Sequence, residues 1–194
     1  MRRRITETEA YCGEEDTACH AHKGRTARTD VMYAPGGCAY IYLCYGMHEM
    51  LNVVTGPEGR PEAVLIRGVE GAEGPGRLTK LLKIDRSLNR EDLVHSNHLW
   101  LESDGARVKF TSAPRIGIAY ASKRDQSRKW RFTLKHEISE CNSRMLTIRN
   151  QQVLLDRDVA ALYGVECCCC AVRRLCGIMS AKVAEIFCAL HLST

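Results

Sequence analysis

Residues 39–54 read AYIYLCYGMHEMLNVV, and this stretch decides the fold. Tyr40 to Tyr45 is apolar and aromatic, Gly46 breaks the run, and Met50 to Val54 resumes it. The pattern predicts a β-hairpin with Tyr45 near its tip. Gly56-Pro57 and Gly59 mark the next turn, and Ala63 to Val69 (AVLIRGV) predicts a third strand. Upstream, residues 5–11 read ITETEAY. A strand there puts Glu7, Glu9 and Tyr11 on alternate positions, hence on one face. Two carboxylates and a phenol make a poor packing surface but a good one for activating water beside an aromatic wall. Hairpin and strand together predict a pocket that holds a flat ring and attacks the bond next to it.

The chain has 194 residues, 45% hydrophobic and 26% charged, with a formal net charge of +5. This suits one globular domain with a core of its own, plus an appendage. The mild basicity is compatible with an anionic partner. No apolar run is long enough to span a membrane. Met1 to Arg4 (MRRR) precedes a strand-like segment and not an apolar signal core, so a cytoplasmic location is expected. The 11 cysteines are an odd number. Cys12, Cys19, Cys38, Cys44 and Cys141 are scattered, Cys167 to Cys170 form a run, and Cys176 and Cys188 follow. A secreted disulfide framework fits this badly, and no second ligand pair accompanies Cys167 and Cys170 to make a zinc site. Reduced thiols and no metal are expected.

Between the strands lies a polar, basic loop, His20 to Asp30. Beyond Gly74-Pro75-Gly76, the apolar spacing of Leu78, Leu81, Leu82 and Ile84 predicts a helix over Arg77 to Ile84. Short strands are expected at His98 to Leu101, Val108 to Thr111, Arg115 to Ile118 and Trp130 to Phe132. The fold class is therefore mixed α/β (α+β): one domain around a curved, mainly antiparallel sheet, with a helical C-terminal appendage. A boundary near Cys141 to Ser143 divides it into residues 1–140 and 141–194. In the second part Leu146 to Val165 suggests a short strand, a turn at Asn150 and a helix closed by Gly164, and a second helix covers about Ile178 to Leu190.

Taken one at a time, the candidate residues have ordinary readings too. Glu7 and Glu9 fit solvated acids on an edge strand, His20 a surface residue, Tyr42 core packing and Tyr45 a strand-end aromatic. Asn52 inside MLNVV fits an amide satisfying backbone, and Arg67 inside AVLIRGV fits a buried salt bridge to Glu7 or Glu9.

Several motifs in one order carry a resemblance. ETEAY at Glu7 to Tyr11, EED and CHA within Glu14 to Ala21, and GRTART at Gly24 to Thr29 come first. YIYLCYGMHEMLNVV, AVLIR at Ala63 to Arg67, GPGRLTKLL at Gly74 to Leu82 and APRIGI at Ala113 to Ile118 follow. Residues from about Ile5 to Phe132 resemble the alkyladenine (3-methyladenine, methylpurine) DNA glycosylase family. The resemblance implies excision of alkylated or deaminated purines from double-stranded DNA by base flipping, without metal or cofactor. It implies Glu9 as the general base that deprotonates a water attacking C1′. Tyr11, His20, Tyr42, Asn52 and Arg67 match base-pocket residues, with Asn52 crowding the amino group of normal guanine. Tyr45 matches the wedge that fills the space of the flipped base. Arg25 and Arg28 match phosphate-facing positions, and Lys123, Arg124, Arg128, Lys129 and Arg131 add a basic segment. No lysine matches a nucleophile position, which implies a monofunctional enzyme.

Two departures accompany the match. The family has a substantial segment before ETEAY, so the chain reads as N-terminally truncated, and only Gly68 to Gly74 join the Arg67 strand to the GPG motif. Ile148 to Val165 is similar to the opening of the ORF6N domain, a phage-associated DNA-binding module, and reads as a remnant within about residues 146–166. The alternative function is a catalytically inactive DNA-binding or interaction protein on a truncated glycosylase fold.

Overall fold

The computed structural model describes residues 1–103 and 108–135, and the backbone of three short strands at 146–148, 151–153 and 189–192. Its centre is β1 (Arg2–Cys12), an eleven-residue strand. The hairpin β2 (Ala39–Cys44) and β3 (His48–Val54) follows, then β4 (Glu62–Val69) and β5 (Ala72–Glu73). Next come α1 (Pro75–Leu82), β6 (Leu99–Glu102), β7 (Phe110–Ala113), α2 (Lys123–Ser127) and β8 (Arg131–Leu134). The last strands are β9 (Leu146–Ile148), β10 (Gln151–Val153) and β11 (Ala189–Leu192). One sheet runs β2-β3-β4-β1-β11-β6, with β5 on β4, β8 on β1 and β7 on β8. Every recorded pairing is antiparallel.

Register builds the site. Tyr40 lies opposite Asn52, Asn52 opposite Leu65, and Leu65 opposite Glu9. Directly opposed residues share a face. Tyr40, Asn52, Leu65 and Glu9 therefore form a row across four strands, and the two-residue period adds Tyr42, Ala63 and Tyr11. The other face carries Ile41, Leu51, Val53, Val64, Ile66 and Ala10, all in the main core with Leu78 and Leu82 of α1. That helix opens on Pro75 at its first turn and buries one stripe, with Thr79 Oγ1 donating to the Glu49 carbonyl at 2.9 Å.

Strict alternation along β1 would put Ile5 on the face of Glu7 and Glu9. Ile5 is instead buried in the main core, because the β1–β4 register shifts on both sides of Glu7. A bulge changes which face the residues before it present. Gly68 makes room for it: a Cβ there would lie 2.9 Å from Thr6 Oγ1 and 3.3 Å from Glu7 Cβ. Ile5 anchors the strand on one face while Glu9 faces the site on the other.

At the hairpin tip, Tyr45 and Gly46 both have positive φ, 51° and 71°, and the Met47 N–H donates to the Cys44 carbonyl at 3.1 Å. These angles match the two central residues of a type I′ turn, which favours Asn-Gly and penalises a side chain such as tyrosine. Tyr45 is 89% exposed. Its position costs about 1 kcal/mol of backbone strain.

Several expectations change. The loop His20 to Asp30 contains a 3-10 turn, His20–Lys23, and ends at another, Asp30–Tyr33. Arg115 to Ile118 is not a strand. Gly117 takes φ 78°, and the Arg115 side chain turns inward to a fully buried ion pair with Asp16. Asp125 collects Arg124 and Arg128, and Glu7 collects Arg131, so the basic segment offers less to a phosphate than its composition suggests. The short strand expected at the start of Leu146 to Val165 is β9, and Gln151–Val153, past the expected turn at Asn150, is strand as well; the helix closed by Gly164 and the helix over about Ile178 to Leu190 fall mostly outside the described residues, as do most of the ORF6N-like segment and the Cys167–Cys170 run. Ala189 and Leu190, however, are strand, and β11 pairs with both β1 and β6.

Candidate active site

Glu9 is completely buried, and each group at hydrogen-bond or ion-pair distance from it is a donor or a cation. The Tyr11 hydroxyl donates to Oε2 at 2.9 Å. The Ile116 backbone N–H donates to Oε1 at 2.8 Å. Arg67 places Nη1 3.5 Å from Oε1 and its Nε 3.6 Å from Glu7 Oε2. Arg131 donates to Glu7 Oε1 at 2.8 Å. Burial is the largest influence on Glu9 and raises its pKa above 4.5; Arg67, the Ile116 N–H and the Tyr11 hydroxyl pull it back. The like-charge push of Glu7 is present and is the smallest of these. Arg67 thus has the ion-pair role open to it in the sequence, bridging both acids.

Tyr11 joins Glu9 to an open cleft of about 320 Å³, counting its mouth. Tyr11, His20, Tyr40, Tyr42, Asn52 and Tyr120 line it, together with Ala18, Cys19, Met32 and Ala63. Glu9 and Arg67 are not lining residues; the Tyr11 hydroxyl links Glu9 to the cleft wall. The His20 ring meets Tyr42 edge-on at 4.5 Å, and its Nδ1 is 2.9 Å from the Tyr40 hydroxyl. The Arg28 guanidinium lies 5.0 Å from the centroid of the Tyr42 ring, and its charge opposes the rise that burial imposes on the Tyr40 pKa. The Tyr40 hydroxyl can give its proton to His20 Nδ1, which leaves Nε2–H on a neutral imidazole. Burial and the Arg28 charge lower the His20 pKa to about 4. An NMR titration of the imidazole should therefore show no change between pH 8 and 5; a midpoint near the ordinary 6.5 would rule out this packing.

Asn52 is 4% exposed, and its amide donates to the Tyr40 and Met50 carbonyls at 3.0 and 3.3 Å. The amide is anchored by backbone and also borders the cleft. Arg25 is held by Asp30 at 2.7 Å and lies over Tyr33, which is not a lining residue. Tyr45 is at the hairpin tip. The free cysteines among the described residues are Cys12, Cys19, Cys38 and Cys44, and no group of His, Cys, Asp and Glu there is arranged to hold a metal ion.

Reading from sequence missed Tyr40, Tyr120 and the Ile116 N–H. It also missed Arg115, which donates to the Ala10 carbonyl at 2.8 Å and to both Asp16 oxygens at 2.6 and 2.8 Å. Its guanidinium lies over the Tyr11 and Trp130 rings, 4.8 and 5.1 Å from their centroids. The signal available was the APRIGI motif, whose arginine is unusual beside two isoleucines.

The family model described as methylpurine-DNA glycosylase matches residues 1–73 and 69–138. The chain belongs to the methylpurine-DNA glycosylase family. The two matched segments overlap at residues 69–73, within the short Gly68 to Gly74 connection. A relative from Psychrobacter cryohalolentis is 47% identical over 146 residues, covering 62% of this chain and 69% of the relative. One from Methanocella arvoryzae is 45% identical over 161 residues, covering 73% and 79%. One from Borreliella afzelii is 44% identical over 154 residues, covering 71% and 82%. All three bear the name "Putative 3-methyladenine DNA glycosylase". No helix among the described residues is long and apolar enough to cross a membrane.

Proposed function

We propose that this methylpurine-DNA glycosylase family member is a monofunctional enzyme that extrudes an alkylated or deaminated purine from double-stranded DNA and hydrolyses its N-glycosidic bond. The observation that carries the reading is the buried carboxylate of Glu9, hydrogen-bonded to an aromatic wall of the cleft. An extruded purine stacks against Tyr11, Tyr42 and His20, which favours electron-poor, alkylated rings. Glu9, with a raised pKa, takes a proton from water as it attacks C1′, and its negative charge steadies the cationic character of the sugar. Asn52 selects by clash with the guanine amino group. Arg67 acts through Glu9 and Glu7, holding both charges in place. Arg28 and Arg25 meet phosphate, Arg28 from beside the cleft. Residues 1–140 form the catalytic unit in this reading; the family match ends at residue 138.

The test is single-turnover base release from duplexes carrying one hypoxanthine or one methylated purine, against an undamaged duplex. Release confined to the damaged duplexes is expected. None from a folded protein that binds the duplex would assign a binding role instead.

Tyr45 wedges into the duplex where the base was. Replacing it with asparagine creates the favoured Asn-Gly turn and relieves the strain. Tyr45→Asn is expected to raise stability by about 1 kcal/mol while slowing base release from duplex DNA at least about tenfold. Thermal unfolding and single-turnover rates check the two halves separately. A stabilised variant with unchanged release would remove the wedge from the mechanism.

A further inference from the structure

Arg131 belongs to the basic segment that the sequence offers to phosphate, and the fold gives it a different partner. It lies on β8, directly opposite Glu9 of β1. Its guanidinium nevertheless passes Glu9 by: Nη1 donates to Glu7 Oε1 at 2.8 Å and Nε to the Pro114 carbonyl at 3.0 Å. A planar fork bound at two points is fixed in orientation. The oxygens of Glu9 already accept from Tyr11 and Ile116. Arg67 stands at ion-pair distance from both acids, and its buried Nε has no hydrogen-bond partner. Glu7 therefore takes its charged hydrogen bond from Arg131 and not from Arg67. The four side chains are two cations and two carboxylates, all between 0% and 25% exposed, where water screens them weakly. The other charged or titratable groups around Glu9 are Tyr11 on its own strand and Arg115 and Tyr120 on the loop after β7. Arg115 is held by Asp16, and the Tyr120 hydroxyl donates to the Ala18 carbonyl at 2.9 Å.

We propose that Arg131 is a positioning residue for the reaction: it neutralises Glu7 beside the base and so leaves Arg67 to Glu9. This rests on the reading of Glu9 as the base. Without Arg131, one guanidinium must serve two neighbouring carboxylates. The uncompensated charge on Glu7 then disfavours ionisation of the buried Glu9, which keeps its proton to a higher pH. A protonated carboxyl cannot take a proton from water, so the acidic limb of base release moves up with it.

Two measurements test this. One is an NMR titration of isotope-labelled glutamate carboxyls, with the Glu9 signal identified by its loss in Glu9→Gln. The other is the pH profile of single-turnover release from a hypoxanthine duplex. Arg131→Gln keeps a polar group of similar reach and removes the charge. It is expected to raise the Glu9 midpoint, and the acidic limb with it, by about 0.3–1 pH unit. Arg131→Lys, which keeps a cation beside Glu7, should show at most about half that rise. In a Glu7→Gln background, Arg131→Gln should again produce at most about half of it, because no charge is left to neutralise. A purely structural role for Arg131 would not depend on the charge of Glu7. The titration decides. A rise under about 0.3 unit, or one of equal size with and without the Glu7 carboxylate, overturns the assignment. If the midpoint moves as expected and no base is ever released, the charge arrangement stands and the glycosylase reading fails. If bases are released and the midpoint is static, the reverse holds. A thermal melt verifies that each variant is folded.

Discussion

Glu9→Gln is expected to lower base release by about 10² to 10⁴-fold while leaving duplex binding in place. The replacement keeps volume and one carbonyl oxygen to accept from Ile116 or Tyr11, but it cannot take a proton from water. The pH dependence follows from the environment of Glu9. Burial raises its pKa above 4.5, and protonation removes the base, so activity falls as pH drops through that raised value. The acidic limb should lie above the ordinary glutamate range, and Glu9→Gln should abolish it. His20 contributes no limb at neutral pH, since it titrates at about 4. The same shift acts on stability. A carboxyl whose folded pKa is raised contributes stability that is complete below its unfolded value and is lost as pH rises through the folded one. The stability of Glu9→Gln relative to the parent should therefore improve from acid to neutral pH. A variant that releases bases at the parental rate would remove Glu9 from the chemistry.

Arg115→Met is expected to destabilise the protein by about 3–5 kcal/mol, because it strands a carboxylate away from water. Both Arg115 and Asp16 side chains are 0% exposed, joined at 2.6 Å. The guanidinium also holds the Ala10 carbonyl, between Glu9 and Tyr11, and packs over Tyr11. Lysine would not substitute, because it supplies a point charge where a planar fork is used. A domain of this size has roughly 5–15 kcal/mol in total, so the single variant would stand near its unfolding threshold. Removing the partner as well, Asp16→Ala with Arg115→Met, should recover part of the loss, since no buried charge is then left alone. Urea unfolding of the parent, the single and the double variant measures this. A single-variant loss under about 1 kcal/mol would show that the pair is dispensable.

The hairpin, its tip and the β4 strand were legible because they rest on local signals: alternation, a glycine break and turn residues. Helix α1 was legible from its apolar stripe. Arg115 to Ile118 was misread because two isoleucines around a glycine satisfy a strand pattern locally. Their real constraint, a partner in Asp16, lies 99 residues away. The pairing of the basic segment was hidden for a similar reason, since its arginines meet Asp125 and Glu7 only in the folded chain.

The sequence by itself determined the family, the mixed antiparallel class and the alternation that sets Glu7, Glu9 and Tyr11 on one face. These follow from motif order and from the two-residue period of a strand. Tertiary structure alone decided which residues stand together. Register aligned Tyr40, Asn52, Leu65 and Glu9, a bulge opposite Gly68 sent Ile5 into the core, and a distant loop brought Ile116 to Glu9 and Tyr120 to Ala18. No local pattern encodes these pairings, because strand register and loop docking depend on how two buried faces and their hydrogen bonds are satisfied at once.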